Sequence, residues 1–182
     1  MTAAKLPVIK DLDAFVFEGT PINEGLVRSL HAGSFLPGRR NIVLIGGTGT
    51  GKTHLATALG HIAIRRRLTV GFHRADKLFT RLRAARLDHT VDAEIRRLAA
   101  VDVLIIDDFA LRPLDATETS DFYEIVVERH RAKTTIMTSN REPAEWLTMT
   151  ADTLLAELSE IEASLAEQQK IRRADPSAER GV

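Results

Sequence analysis

The stretch Gly46-Gly47-Thr48-Gly49-Thr50-Gly51-Lys52-Thr53 constrains this chain more than any other. It has the spacing G-x-x-x-x-G-K-[ST], and its glycines let the backbone curl so that successive N–H groups point inward at phosphate oxygens. Its flanks supply the setting such a loop requires. NIVLI (Asn41–Ile45) reads as a buried strand, β-branched and continuously apolar. Lys52–Arg66 reads as a helix with Leu55, Ala58, Leu59, Ile62 and Ala63 on one stripe. The helix begins where the loop ends, so its N-terminal dipole also faces an anion. A glycine-rich turn without a ligand has no need of both flanks. The expected ligand is ATP with Mg²⁺: Lys52 reaches the β- and γ-phosphates and the Thr53 hydroxyl binds the metal. The expected nucleotide-binding residues are Gly46, Gly47, Thr48, Gly49, Thr50, Gly51, Lys52, Thr53 and His54.

The rest of the chain alternates strands with helices. Thr69–His73 is a second strand, followed by helical segments near Ala75–Arg86 and Val91–Ala100. Val103–Asp107 is a third strand, and Asp115 and Glu118 stand at capping-box spacing before a helix reaching Arg131. Lys133–Ser139 is a fourth strand, and Asn23–Ala32 a short helix in an otherwise Pro- and Gly-punctuated lead-in. Strands apolar throughout and separated by helices imply a parallel sheet covered on both faces. The expected fold class is therefore α/β, a P-loop NTPase three-layer sandwich with a helical C-terminal extension. Residues 1–40 form the lead-in and 41–150 the ATPase core. In the remainder, 151–182, Asp152–Gln169 is an amphipathic helix seamed by Leu154, Leu158, Ile161 and Leu165, and the polar tail from Ile171 is expected to lack structure.

Ligands of open α/β sheets bind beyond the carboxyl ends of the strands. VLIIDD ends there with two acids: Asp107 is placed to hold Mg²⁺ through water, and Asp108 to orient or deprotonate an attacking water. An apolar strand ending in Asp is common, and it is the coupling to the glycine-rich loop that gives the pair its functional reading. Asp108 is shorter than the Glu that many such ATPases carry, which implies slow hydrolysis or dependence on a partner's geometry. Thr138-Ser139-Asn140 closes the next strand. Asn140 is a candidate to read the γ-phosphate, and equally a residue that favours strand-ending turns. Lys52, Asp108 and Asn140 are thus the catalytic candidates, and Thr53 and Asp107 the metal ligands.

Lys+Arg and Asp+Glu balance at 25 each, so any basic surface is local. His61–Ala100 is such a region, with ten Lys/Arg against four Asp/Glu. Lys77, Arg81, Arg83 and Arg86 lie in one helical segment, and Lys77, Arg81 and Arg74 share a face at i, i+3/i+4 spacing; such a face suits duplex or single-strand DNA phosphates, or is only solvated. The chain has no cysteine, which excludes disulfides and thiolate metal sites, and no apolar run of membrane-spanning length. A cytoplasmic protein with no membrane partner is expected.

Five ordered segments resemble the IstB-type transposition helper ATPases, AAA+ proteins related to the DnaC helicase loader and the DnaA initiator. They are LPVIKDLDAFVFEGTPINEGLV, NIVLIGGTGTGKTHLATALG, VDVLIIDDFALRPLDATET, DFYEIVVERHR and TSNREPAEW, running from about Leu6 to Met149. The resemblance implies an AAA+ core with Walker A at Gly46–Thr53, Walker B at Val103–Asp108 and sensor 1 at Asn140. It implies a helical element between the second and third strands that faces DNA, homo-oligomeric assembly on DNA with ATP, and a transposase partner encoded by the same element.

The sequence departs from the family's pattern at both ends. Only Met1–Lys5 precede the LPVIKDLDAF segment, where the family has an N-terminal helical region. After Asn140 the arginines are Arg141, Arg172, Arg173 and Arg180, with no counterpart of the family's lid and closing strand. The expectation is a chain truncated at both ends, with hydrolysis more impaired than binding. Two alternatives stand beside the transposition helper: an ATP-binding remnant that does not hydrolyse, and a helicase loader, which needs a helicase-binding N-terminal segment.

Overall fold

A computed structural model describes residues 23–149, together with Leu6, Leu12, Phe15, Phe17 and the backbone of the 170–171 pair. The helix expected over Asp152–Gln169 lies outside the described residues, as do most of residues 1–22 and all of 172–182. The elements run α1 (Glu24–His31), β1 (Ile42–Ile45), α2 (Lys52–Arg65), β2 (Val70–Arg74), α3 (Ala75–Leu87), α4 (Val91–Ala100), β3 (Val103–Phe109), α5 (Ala116–Arg129), β4 (Thr134–Ser139), α6 (Pro143–Met149) and β5 (Lys170–Ile171). The strands form one parallel sheet in the order β2-β3-β4-β1-β5. Ile171, expected at the head of an unstructured tail, instead pairs with Leu44 at the sheet's edge.

Alternation along the strands sends successive side chains to opposite faces, and each face has its own helical cover. Ile42, Leu44, Val103, Ile105 and Ile136 pack with Leu55, Ala56, Leu59 and Ala63 of α2 and with Val27 and Leu30 of α1. Val43, Ile45, Leu104, Ile106 and Met137 pack with Leu78, Phe79 and Leu82 of α3, Ile95 and Leu98 of α4, and Phe122 and Ile125 of α5. This is the three-layer α/β sandwich that the apolar strands imply. At Gly60 of α2 the helix backbone comes close to the sheet: a Cβ there would stand 2.8 Å from Ile105 Cδ1.

Two helix ends are set by named side chains. Asp115 and Glu118 form the expected capping box of α5, each accepting the other's backbone N–H, at 2.8 Å from Glu118 N and 3.2 Å from Asp115 N. The helix stops at Arg129 rather than Arg131: His130 leaves the helical conformation with ψ 127° and Arg131 takes a positive φ of 55°. Arg129 itself is buried, 1% exposed. Its guanidinium donates to the Leu98, Ala99 and Val101 carbonyls at 2.9, 3.1 and 2.8 Å, to Thr135 Oγ1 at 3.0 Å, and to the Thr134 carbonyl. It fastens the C-terminal end of α4 to the start of β4. Burial lowers its pKa to about 10.

Candidate nucleotide site

Strand order brings the polar candidates to one edge. β4 lies between β1 and β3, so the carboxyl ends of these three strands deliver the glycine-rich loop, Ser139–Asn140 and Asp107–Asp108 side by side. The Gly46 N–H donates to the Ser139 carbonyl at 3.2 Å, which anchors the loop to β4. Gly51 caps α2 with φ 84°, in the left-handed region that favours glycine. A Cβ at this position would meet Phe15 Cε2 at 2.4 Å. Phe15 also sets its ring edge-on to His54, centroids 5.5 Å apart, so a residue of the lead-in roofs the first turn of α2.

Within the loop, Thr50 Oγ1 and Lys52 Nζ both donate to the Gly47 carbonyl, at 2.9 and 2.8 Å. The Lys52 pKa is lowered by burial, against the opposing pull of Asp108 and Asp107. An ammonium drawn out of water beside two carboxylates is a group for which an incoming phosphate provides replacement partners.

A short chain of hydrogen bonds joins the loop to β3 and β4. Thr53 Oγ1 donates to both oxygens of Asp107, at 3.0 and 3.2 Å. Thr138 Oγ1 donates to Asp107 Oδ1 at 2.6 Å and accepts the Asp108 N–H at 2.9 Å. Asp107 is 4% exposed. The β3–β4 register shifts between Ile106 and Phe109, a bulge that turns Asp108 to φ 59° and takes its amide off the strand ladder. Two consecutive acids therefore serve different surroundings: Asp107 is buried against hydroxyls, whereas the Asp108 side chain is 37% exposed and lies 3.8 Å from Arg74 Nη2. Arg74 also pairs with Asp76 at 3.3 Å.

The Thr53 hydroxyl and Asp107 carboxylate are hard oxygen donors within 3.0 Å of each other. That fits Mg²⁺, which takes one or two protein oxygens and completes its shell with phosphates and water. Among the described residues no group of three or more His, Asp or Glu could hold a metal ion alone. Asn140 is exposed at the same edge. Beside it, Ser139 Oγ donates to the Phe109 carbonyl at 2.9 Å and accepts from Arg141 N at 3.1 Å and Trp146 Nε1 at 3.3 Å. Trp146 of α6 stacks edge-on against Phe109, centroids 5.0 Å apart, and so backs the end of β3.

The cations of the basic segment meet different carboxylates. Lys77 is exposed on α3. Arg81 pairs with Glu94 of α4 at 2.8 Å. Arg83 instead pairs with Asp115 and Glu118 at 3.0 and 2.9 Å, and Arg86 with Asp121, all on or capping α5. Sequence reading passed over Arg74 as a partner of Asp108, and over Thr138 as the link between the two acids. A position at the end of a strand beside the acids was the only available signal for either.

Comparison with known proteins follows the same outline. Residues 1–160 match the family described as IstB-like ATP binding protein. Over 154 residues the chain is 34% identical to the protein named as the ATP-binding protein of insertion sequence IS21 of Pseudomonas aeruginosa, covering 84% of this chain and 58% of the relative. It is 33% identical over 154 residues to the corresponding IS5376 protein of Geobacillus stearothermophilus, covering 84% and 61%. The chain thus spans between half and about three fifths of such relatives' length. The structure is similar to AMPPCP-bound DnaA from Aquifex aeolicus, with a TM-score of 0.72 at 22% identity, covering 93% of this chain and 51% of that one. It is also similar to the DnaC helicase loader, with a TM-score of 0.67 at 19% identity, covering 90% and 97%. The fold is that of the P-loop AAA+ domain. No described helix is long and apolar enough to cross a membrane.

Proposed function

The chain belongs to the IstB-like ATP-binding protein family, and from that premise we propose that it binds ATP with Mg²⁺ at Gly46–His54 and turns it over slowly, on DNA, in support of transposition. The observation that carries the reading is the run of hydrogen bonds from Thr53 through Asp107 and Thr138 to the Asp108 amide. It sets the Thr53 hydroxyl, a buried carboxylate and a second acid next to the glycine-rich loop, which supports a site for phosphoryl transfer to water.

In this account the inward N–H groups of the loop and the start of α2 bind the phosphates. Lys52 exchanges the Gly47 carbonyl for β- and γ-phosphate oxygens. Thr53 and Asp107 would hold Mg²⁺, which neutralises charge on the phosphates when bound. Asp108 orients the attacking water and accepts its proton, and Asn140 hydrogen-bonds the γ-phosphate or that water. Arg74 lies close enough to Asp108 to compete with the water for its carboxylate, which supports slow turnover and keeps a second reading in view: an ATP-binding protein that does not hydrolyse.

The names of the relatives, ATP-binding proteins of insertion sequences, support a transposition role with DNA, the element's transposase and further copies of the chain as partners. The test is steady-state ATP turnover with and without DNA. The helper reading expects DNA-stimulated turnover that Asp108→Ala abolishes while nucleotide affinity stays within a few-fold. Turnover equal in the two proteins would decide for the non-hydrolysing reading.

A further inference from the structure

From Gly25 to Ala75 the chain carries eight Lys/Arg and no Asp or Glu. Half of these cations are engaged. Arg28 pairs with Glu24 at 2.7 Å, Lys52 belongs to the nucleotide loop, and Arg74 meets Asp76 and Asp108. Arg66 donates to the Gly33 carbonyl at 3.3 Å and to the Ala32 carbonyl, fastening the end of α2 to the end of α1. The other four, Arg39, Arg40, Arg65 and Arg67, are exposed, and their side chains have no partner among the described residues.

These four gather round the Arg66 joint. Arg65 and Arg67 flank it in the chain. Arg39 and Arg40 sit in the turn between Gly33 and β1, where Arg39 N donates to the Leu36 carbonyl at 3.1 Å and Arg40 N to the Phe35 carbonyl at 3.0 Å. The dipole of α2 favours cations at its C-terminal end, which accounts for Arg65 and Arg67. It does not account for Arg39 and Arg40. Arg39 and Arg67 moreover hold φ at 50° and 62°, left-handed positions that glycine fills at less cost. Ile64, 41% exposed, stands beside them. A Cβ on Gly60 would lie 3.6 Å from Val70 Cγ1 at the start of β2, so Ile64, one turn further on, is past the amino ends of the strands.

The outer face of α5 carries the complementary pattern. Glu124, Val127 and Glu128 share one stripe at i, i+3 and i+4 spacing, all three exposed. Val127 is 44% exposed, and neither glutamate has a partner among the described residues. The inner face of the same helix is buried with α3 and α4 on one side of the sheet, whereas α1 and α2 cover the other. The two patches therefore look away from each other within one chain, and a second copy can bring them together.

We propose that the arginine end of one copy docks on the α5 face of the next, with Ile64 against Val127 and Arg65 and Arg67 against Glu124 and Glu128. This names the surface for the further copies in the reading above and rests on it. Two different patches in contact make a head-to-tail interface, which closes into a ring or runs on as a filament. An apolar centre rimmed by paired charges is the usual anatomy of such a contact. It involves neither the carboxyl ends of the strands nor the nucleotide loop.

The test is sedimentation velocity of the full chain with a non-hydrolysable ATP analogue, without DNA, at low and high salt. Wild type should self-associate, more weakly as salt rises. Arg65→Glu/Arg67→Glu and Glu124→Arg/Glu128→Arg, each checked for folding by its melting curve, should weaken association by roughly tenfold or more. Mixing the two variants should restore it to within about threefold of wild type, because each then offers the other a complementary patch. A merely structural role for either cluster gives no such rescue. Variants that associate like wild type, or a mixture that stays monomeric, overturn the interface. A wild-type chain that holds the analogue but remains monomeric overturns it too and leaves the nucleotide reading standing. Rescued association in a chain that holds no nucleotide does the reverse. If Arg65→Glu/Arg67→Glu loses labelled duplex DNA in anisotropy while its association is unchanged, the patch serves nucleic acid and the proposal falls.

Discussion

Asp108 adopts a left-handed backbone conformation that most residues avoid, at a cost of order 1 kcal/mol, and the fold maintains it by giving its amide to Thr138. The strained position lifts its carboxylate out of the strand, away from the hydroxyls that occupy Asp107, to within reach of Arg74. Removing that cation leaves the phosphate loop untouched. Arg74→Ala is therefore expected to alter ATP turnover by severalfold or more, with nucleotide affinity within about twofold; titration calorimetry beside a turnover assay separates the two. A matched loss of affinity would mean that Arg74 acts on the loop and not on Asp108. The two acids were legible in VLIIDD because an apolar strand ending in carboxylates beside a glycine-rich loop has few other uses. Their division of labour was not, since nothing in the apolar run signals the bulge between Ile106 and Phe109. Thr138 looked like one more polar strand end for the same reason.

At the level of elements, local signals gave α1 to α5 and β1 to β4 to within a residue or two, but neither α6 nor β5. Asn23 caps α1 by accepting Leu26 N at 2.9 Å, and the α5 capping box formed as spaced. What the sequence could not announce is where long side chains go. Arg129 lies on a helix end that the sequence marks only as polar, yet it is buried and donates to acceptors of α4 and β4 and to the Val101 carbonyl. Arg83 and Arg86 read as cations of a basic helical segment, and nothing in that segment signals that they pair with Glu118 and Asp121 of α5. Arg129→Met would leave buried carbonyls of residues 98, 99, 101 and 134 short of a donor. Unfilled acceptors of that kind cost roughly 1–3 kcal/mol each, less where water can enter. A loss of roughly 2–4 kcal/mol in urea unfolding is expected. A change below about 0.5 kcal/mol, the scale of ordinary surface substitutions, would show that the fastening contributes nothing to stability.

Across the whole molecule, the sheet presents its polar chemistry at one end and a quite different cluster at the other. There Asp102, before β3, accepts Thr69 N at 2.9 Å and Thr69 Oγ1 at 2.7 Å, from before β2, and Lys133 Nζ at 2.7 Å, from before β4. The Lys133 bond, with the Thr69 bonds, holds the Asp102 pKa down at about 2. A depressed carboxylate contributes stability that is complete above its unfolded value, near 3.9, and is lost as pH falls through the folded one. Stability should therefore decline between about pH 4 and pH 2, and Asp102→Asn should remove part of that slope. The part is on the order of 1 kcal/mol, since the side chain is 32% exposed and solvent screens it. Urea midpoints at pH 6, 4 and 2 check this; identical slopes in the two proteins would contradict it.

The end that faces ligand carries the central claim, that this family member holds Mg²⁺–ATP between the glycine-rich loop and the acids of β3. The most direct measurement is calorimetric titration of a non-hydrolysable ATP analogue, with and without Mg²⁺, into the wild-type chain and Lys52→Ala. The account predicts saturable one-site binding that Mg²⁺ strengthens and that Lys52→Ala weakens by at least tenfold, about 1.4 kcal/mol. Equal affinity in the two proteins would contradict it.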